Sequence, residues 1–459
     1  MTSTKKITDF VSFNPKRTIK KGETKPFVEM AALPVDSRDI SEIGSRTYKG
    51  GGSRFQDGDT LFARITPCLE NGKTAKTSGL GDGVIAHGST EFIVLAAKEP
   101  EYDEDYVYYL ARMPEFRSYA QSRMEGTSGR QRVSWQSLAE FELDFPDKED
   151  RKEIGRILKS IDDKIQVNNQ LNQTLEQIAQ AIFKSWFVDF EPVKAKIAVL
   201  EAGGTAEQAE LAAMSTISAK DEAALKQLQA EQPDAYAELA QTAALFPSAM
   251  EESALGEIPE GWDVSTIGEE VKISGGGTPS TKNQEYWQNG SIHWTTPKDL
   301  SNLTDKVLTD TERKITESGL GKISSGLLPV NTVLMSSRAP VGYLALAKIP
   351  VAINQGYIAM QCEKRLSPEF VLQWASSNMD EIKQRASGTT FAEISKKNFR
   401  PIPVIVPSEN IVSAFSSKAK IIYDKIYALL EEVKTLSSIR DTTLPPLLSG
   451  DIEITELNS

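Results

Sequence analysis

Short segments from the first third of the chain recur, in the same order, roughly 260–273 residues further on. Residues 7–14 have a counterpart in 267–274, Gly58–Arg64 in Val330–Ser336, and Val84–Gly88 in Val351–Gln355. Gly126-Thr127-Ser128 returns as Gly388-Thr389-Thr390, and each copy then runs through a short apolar strand to a proline, Pro146 or Pro407. Any one match is weak, but the ordered set restricts the chain to two diverged copies of one unit. Val, Ile and Phe runs broken by Gly, Pro, Asn and Asp predict β-rich globules with some helices.

Beyond each proline lies a helical pattern in matching register. Val412, Phe415, Ala419, Ile422, Ile426, Leu429, Val433 and Leu436 alternate in steps of three and four, the apolar seam of a coiled coil. A shift of 261 gives Ile154, Leu158, Ile161, Ile165, Asn168, Asn172 and Leu175 in the first copy. The two asparagines stand where polar seam residues fix register at a cost in stability. One such helix alone would read as an amphipathic surface helix. Two in matched positions predict antiparallel packing over about 40–55 Å. The expected fold is mixed α/β: two β-rich domains in tandem, joined and followed by long helices that form an antiparallel coiled coil with pseudo-two-fold symmetry. Its expected parts are a globule at 1–146, a helical spacer with extra helices at 147–250, a second globule at 251–407 and a second helical spacer at 408–459. Residues 197–245 read as exposed helices broken at Gly203-Gly204 and Pro233, and 255–262 as a linker.

The net charge of −12 argues at first sight against a nucleic-acid partner. Residues 1–146 carry 20 basic and 21 acidic side chains, and 251–407 carry 16 and 18. Three quarters of the acidic excess therefore lies in the two spacers, and a local basic face is enough to meet phosphates. Catalytic motifs are missing. The two histidines, His87 and His293, and two cysteines, Cys68 and Cys362, form neither a helix-borne zinc pair nor zinc-finger spacing. Gly275–Lys282 lacks the Gly-Lys-Ser/Thr ending of a phosphate loop and reads as a turn with exposed backbone. Asp147 and Asp150 begin a helix, where acids favour the dipole. No adenine-methyltransferase motif or methyl-donor glycine fingerprint occurs. No apolar stretch approaches the ~18 residues of a membrane span, no secretory signal is evident, and a cytoplasmic location is expected.

Residues 172–192, with Phe183-Lys184-Ser185-Trp186-Phe187-Val188-Asp189-Phe190 at their centre, closely resemble the central region of type I restriction–modification specificity subunits. Leu444-Pro445-Pro446-Leu447-Leu448-Ser449-Gly450-Asp451-Ile452 resembles that family's ending. Gly275–Pro279, Glu285-Tyr286-Trp287 and 292–300 are similar to the start of one type of its target-recognition domain. The likeness spans essentially the whole chain, the first globule being the least familiar part. It implies a non-catalytic subunit whose two domains each read one half of a split, asymmetric DNA site. The paired helices would act as a ruler and dock two adenine methyltransferase subunits, through which translocating endonuclease subunits join. S-adenosylmethionine, ATP and magnesium would belong to those partners, with no cofactor or metal on this chain. The recognition subunit of a different methylation complex and a coiled-coil scaffold remain as alternatives.

Base edges and phosphates are met by Arg, Lys, Asn, Gln, Ser and Thr. The DNA-facing candidates in the first globule are Arg123, Thr127, Ser128, Arg130, Gln131 and Arg132, with Lys16, Arg17, Lys20, Lys21 and Lys25 for phosphate. In the second they are Arg385, Thr389, Thr390, Lys396, Lys397 and Arg400, with Thr278, Lys282, Lys298 and Arg338. His87 and Asn354, matched after a strand, suit structural roles equally well. Phe183, Trp186, Phe187 and Phe190 are either core or a partner-docking surface.

Overall fold

The computed structural model describes residues 5–127, 129–301, 303, 305–388 and 392–450. They form two compact units, Met1–Val167 with Glu432–Ser459, and Asn168–Glu431. Each unit thus holds one globule, the start of one long helix and the end of the other.

In the first unit an antiparallel sheet runs in the order Val11–Phe13, Phe92–Ala97, Thr60–Ala63, Thr74–Lys76. Side chains alternate across a strand, and here both faces are covered. Phe62, Ile93 and Leu95 join a core with Tyr106, Phe116 and Leu158. Leu61 and Val94 point the other way, toward Val28 and Phe55. The second face is capped by a second four-stranded sheet, Gly44–Thr47, Thr24–Val28, Ala86–Gly88, Ser53–Phe55, in which Thr24–Val28 and Ala86–Gly88 are parallel. Helices Pro100–Arg112 and Pro114–Ser122 each open with proline, whose fixed φ suits the first turn.

The second unit repeats this plan. Its main sheet is Lys272–Ser274, Tyr357–Gln361, Val333–Ser336, Leu344–Ala347, Val307–Leu308, and its small sheet Arg313–Ile315, Ile292–Thr295, Ala352–Ile353 again contains one parallel pair. Val333 and Met335 face one core, while Leu334 faces another. Helix Pro368–Ser377, capped by Ser367, stands where Pro100–Arg112 stands in the first. The first and last strands of each globule also pair, Lys5–Lys6 with Glu142–Leu143 and Asp263–Thr266 with Pro403–Val406.

Two sequence expectations change. Residues 255–262 are not a plain linker, because Met250–Ser253 and Gly256–Pro259 form a hairpin that leads buried Ile258 and Trp262 into the core. The extra helices are four, Glu191–Glu201, Ala206–Ser218, Glu222–Glu231 and Pro233–Ala244, with a small core of Ala213, Met214, Leu225, Leu239 and Ala243.

The long helices, Lys148–Phe187 and Glu409–Leu448, have 40 residues each, so about 60 Å, somewhat beyond the expected span. Within each unit their segments run antiparallel. Asp162 meets Arg440 and Lys164 meets Glu432 in the first; Glu176 meets Tyr423 and Phe183 meets Phe415 in the second. Ile154, Leu158, Ile165, Asn168 and Asn172 are buried as the seam predicts. Ile161 and Leu175 are only half-buried, and Asp162 and Glu176 take the inward positions beside them. No helix among the described residues is long and apolar enough to cross a membrane.

Candidate nucleic-acid interface

In the first globule the basic loop leaves helix Pro114–Ser122 and is pinched shut by a two-way backbone bridge, Glu125 N–H to Arg132 O (3.0 Å) and Arg132 N–H to Glu125 O (2.9 Å). Arg132 forks onto Glu91 at 2.8–3.1 Å. That hydrogen-bonded guanidinium, working against partial burial, holds the Glu91 carboxyl below the usual range. Arg132 therefore anchors the loop. Arg123 lies over the Tyr119 ring at 5.1 Å, and Thr127 and Arg130 are exposed. The Gln131 N–H donates to Thr66 Oγ1 (3.1 Å). Ser128 lies outside the described residues.

The second globule carries a loop closed in the same way, by bridges of Glu393 to Ser387 and to Arg338. Its Thr389 and Thr390 lie outside the described residues. Arg385 pairs with Glu381 at 2.6 Å, and Arg338 with Glu393 at 3.6 Å. Exposed Lys396 and Lys397 begin a short helix capped by the Ser395 hydroxyl, the counterpart of Ser134 in the first copy. Exposed Arg400 lays its stem on Gly268.

The Gly275–Pro279 turn is not the freely exposed backbone that its composition suggests. A Cβ on Gly276 would stand 1.9 Å from the Ile353 carbonyl oxygen, so only glycine fits. Gly277 donates to Ile353 O and accepts from Trp294 Nε1. This close approach places exposed Thr278 on Gln355 (2.6 Å) and Gly275 beneath the Lys396 ammonium. Next to it, Lys298, Arg338, Asn354 and Tyr343 line an open cleft of about 420 Å³. At its rim Ala339 has φ +58°, a conformation uncommon outside glycine and concentrated at binding sites. Lys298 pairs with Glu312, and Lys282 is exposed.

The N-terminal cluster divides. Lys16, Lys20 and Lys21 are exposed, and half-buried Lys25 has Glu23 at 3.6 Å. Arg17 is corrected to a structural role. Its largely buried guanidinium bonds Asp59 and Gln56, and burial still pushes the Asp59 carboxyl up despite that partner. His87 is buried against Phe27 and Tyr48, with Nε2 3.0 Å from Arg46 O. Two arginines escape the sequence reading. Arg46 lies 3.8 Å over the Phe27 ring while bonding Glu29, and exposed Arg313 lies 3.6 Å over Trp287. Both sit on the second sheet of their globule, which local composition does not reveal. The glycine- and base-rich run Ser45–Arg54 is the available hint for the first.

The partner-docking expectation for Phe183, Trp186, Phe187 and Phe190 is overturned by burial. They pack on Phe370, Phe415, Phe246 and Trp262 within the second unit's own core. Exposed apolar side chains on the long helices lie elsewhere, at Leu171, Ile178 and Ile421 in this unit and at Val167 and Ile439 in the first. Among the described residues no group of three or more His, Cys, Asp or Glu is placed to hold a metal ion.

Comparison with known proteins matches residues 3–177 and 259–436 to the family described as type I restriction modification DNA specificity domain. The HindI specificity subunit of Haemophilus influenzae is 35% identical over 407 residues, which cover 87% of each chain. The MjaIX specificity subunit of Methanocaldococcus jannaschii is 37% identical over 159 residues, 34% of this chain and 37% of that one. Among solved structures, the type I restriction–modification S subunit from M. genitalium superimposes with a TM-score of 0.52 at 15% identity, covering 97% of this chain and 96% of the other.

Proposed function

The chain belongs to the type I restriction–modification DNA specificity family, and from that premise we propose that its two globules read the two halves of one split, asymmetric DNA site. The observation that carries this reading is the repeated loop. In both copies it is closed by a matched backbone bridge, at Glu125/Arg132 and Ser387/Glu393, and flanked by exposed cations. A base-reading loop must be held at its base and free at its tip, and phosphate contacts beside it fix its register on the duplex. Lys16, Lys20, Lys21, Arg123 and Arg130 would serve the first half-site. Lys282, Lys298, Arg338, Lys396, Lys397 and Arg400 would serve the second, with Arg313 added on the small sheet. Reading segments 1–146 and 251–407 would alternate with spacers 147–250 and 408–459. Divergence of the two loops is what two different half-sites demand.

The paired helices would set the separation of the half-sites and carry two adenine methyltransferase subunits, through which translocating endonuclease subunits join. The exposed Leu171, Ile178 and Ile421 suit such docking better than the buried aromatic cluster does. S-adenosylmethionine, ATP and magnesium would be held by those partners. Modified-base sequencing of the source genome, with and without this gene, tests the proposal. Loss of methylated adenine at one split motif supports it and names the target. Unchanged methylation, in a host shown to express the complex, rejects it.

A further inference from the structure

We infer that two buried polar joints, one in each unit, lock the long helices in register against the globules and thereby select the half-site separation the protein accepts. This rests on the split-site reading above. In the first unit Asp162 accepts the Tyr109 hydroxyl (2.8 Å) on one oxygen and the Arg440 guanidinium (2.7 Å) on the other. Tyr109 comes from the globule's helix Pro100–Arg112, Asp162 from the first long helix, and Arg440 from the second. In the second unit Glu176 accepts the Tyr423 hydroxyl (2.8 Å) and the Gln373 amide (3.2 Å), with Lys306 at 3.0 Å. Gln373 comes from helix Pro368–Ser377, the equivalent of Pro100–Arg112. Both joints therefore tie the same three elements together.

The correspondence is positional. Asp162 and Tyr423 lie 261 residues apart, the offset at which the helical seams superimpose. Tyr109 and Gln373 lie 264 apart, as do Glu176 and Arg440, the two long helices having exchanged places. A second contact repeats beside each joint. Asp163, bridged to Lys159 one turn back, meets Arg38 of the globule at 2.7 Å. Asp424, bridged to Lys420 in the same way, meets Lys348 at 2.8 Å. The chemistry has diverged (carboxylate, guanidinium and phenol in one joint; carboxylate, amide and phenol in the other), but the geometry has been kept.

An apolar seam tolerates a slip of one turn, because one aliphatic side chain replaces another. A buried hydrogen-bonded triad does not, since a slip strands a carboxylate away from water and partners. Polar seam groups are the best-attested means of fixing register. Burial pushes the phenols of Tyr109 and Tyr423 well above their ordinary pKa, so both remain donors.

The test uses the full chain with its methyltransferase partners, once the target is known. Duplexes keep both half-sites and lengthen or shorten the gap by one base pair. Each joint is converted to an apolar one, Asp162→Leu with Tyr109→Phe and Arg440→Met, or Glu176→Leu with Gln373→Leu and Tyr423→Phe. In the second exchange Lys306 loses Glu176 but keeps the Ser376 hydroxyl (2.8 Å) and partial exposure. Exchanges of buried networks for apolar ones are commonly tolerated, and thermal denaturation reports folding. The expected result is unchanged half-site sequence preference with loss of the preference for the native gap. Retention of the wild-type gap preference by a folded variant overturns the inference. The single changes Tyr109→Phe and Tyr423→Phe provide the same readout should either triple variant not fold; a broadened gap preference supports the lock and an unchanged one rejects it. Failure of the wild-type complex to prefer any split site would sink the underlying reading instead.

Discussion

Lys396 owes its position to a neighbour with no side chain. Its ammonium rests against Gly275, and among the described residues it makes no ion pair. A cation held by packing and left without a carboxylate is available to a phosphate. Lys396→Ala should weaken binding to target and random DNA alike, and lower the slope of log affinity against log salt by about one. An unchanged slope across a salt titration would remove Lys396 from the interface. Arg132 is the opposite case, since Glu91 holds it. A carboxylate with a depressed folded pKa stabilises above its unfolded value, about 4.3, and that contribution is lost as pH falls through the folded value. Thermal midpoints of Glu91→Gln and wild type should therefore differ at pH 7 and draw together as the pH falls from about 4.3 through the depressed folded value. Equal midpoints at pH 7 would show that the pair adds nothing. Arg17 shows why such roles are not legible in the sequence. It stands in a basic run with Lys16, Lys20 and Lys21, and only the fold brings Asp59 to it.

Among the elements, the long helices are the most readable, because a three-four alternation kept through several turns matches the period of a helix and not that of a strand. Legibility ends at definite places. Hydrophobicity alone selects Ile161 and Leu175, although the inward neighbours are Asp162 and Glu176, whose partners come from elements far away in sequence. Tyr423 and Arg440 stay hidden for the same reason. The strands are legible as apolar runs, but their pairing order is not, since a parallel pair such as Phe27 with His87 depends on a long crossover. Asn172 is the buried polar seam residue that the heptad pattern predicts, and its environment yields a further prediction. Its side chain is fully buried, and among the described residues neither amide atom has a hydrogen-bond partner. An unsatisfied buried amide costs about 1–3 kcal/mol, and leucine at this position would extend the apolar seam. Asn172→Leu should therefore raise the thermal midpoint by several degrees. A lower midpoint would mean that an ordered water satisfies the amide.

At the scale of the whole molecule, the repeat predicts two similar bodies, yet each body is assembled from distant parts of the chain. The first unit needs residues from the C-terminal end: Leu444, Leu447 and Leu448 lie in the same core as Phe10, Tyr106 and Leu158. The Tyr106 hydroxyl bonds the Leu448 carbonyl (2.9 Å), and Arg440 neutralises buried Asp162. Without these residues an acid and a broad apolar surface would be left uncovered in residues 1–167, a combination expected to be strongly destabilising. Gly203, at φ +81° between helices Glu191–Glu201 and Ala206–Ser218, offers an exposed place to divide the chain. Fragments 1–203 and 204–459 should therefore co-purify as a stoichiometric pair when produced together, while 1–203 alone should aggregate or bind a dye that reports exposed apolar surface. Should 1–203 prove monomeric, cooperatively folded and indifferent to its complement, the interlocked architecture would be wrong. Interlocking of this kind gives tandem duplication a mechanical consequence. Neither reader can complete its core without a helix supplied from the other half of the sequence, so the two must fold as one subunit.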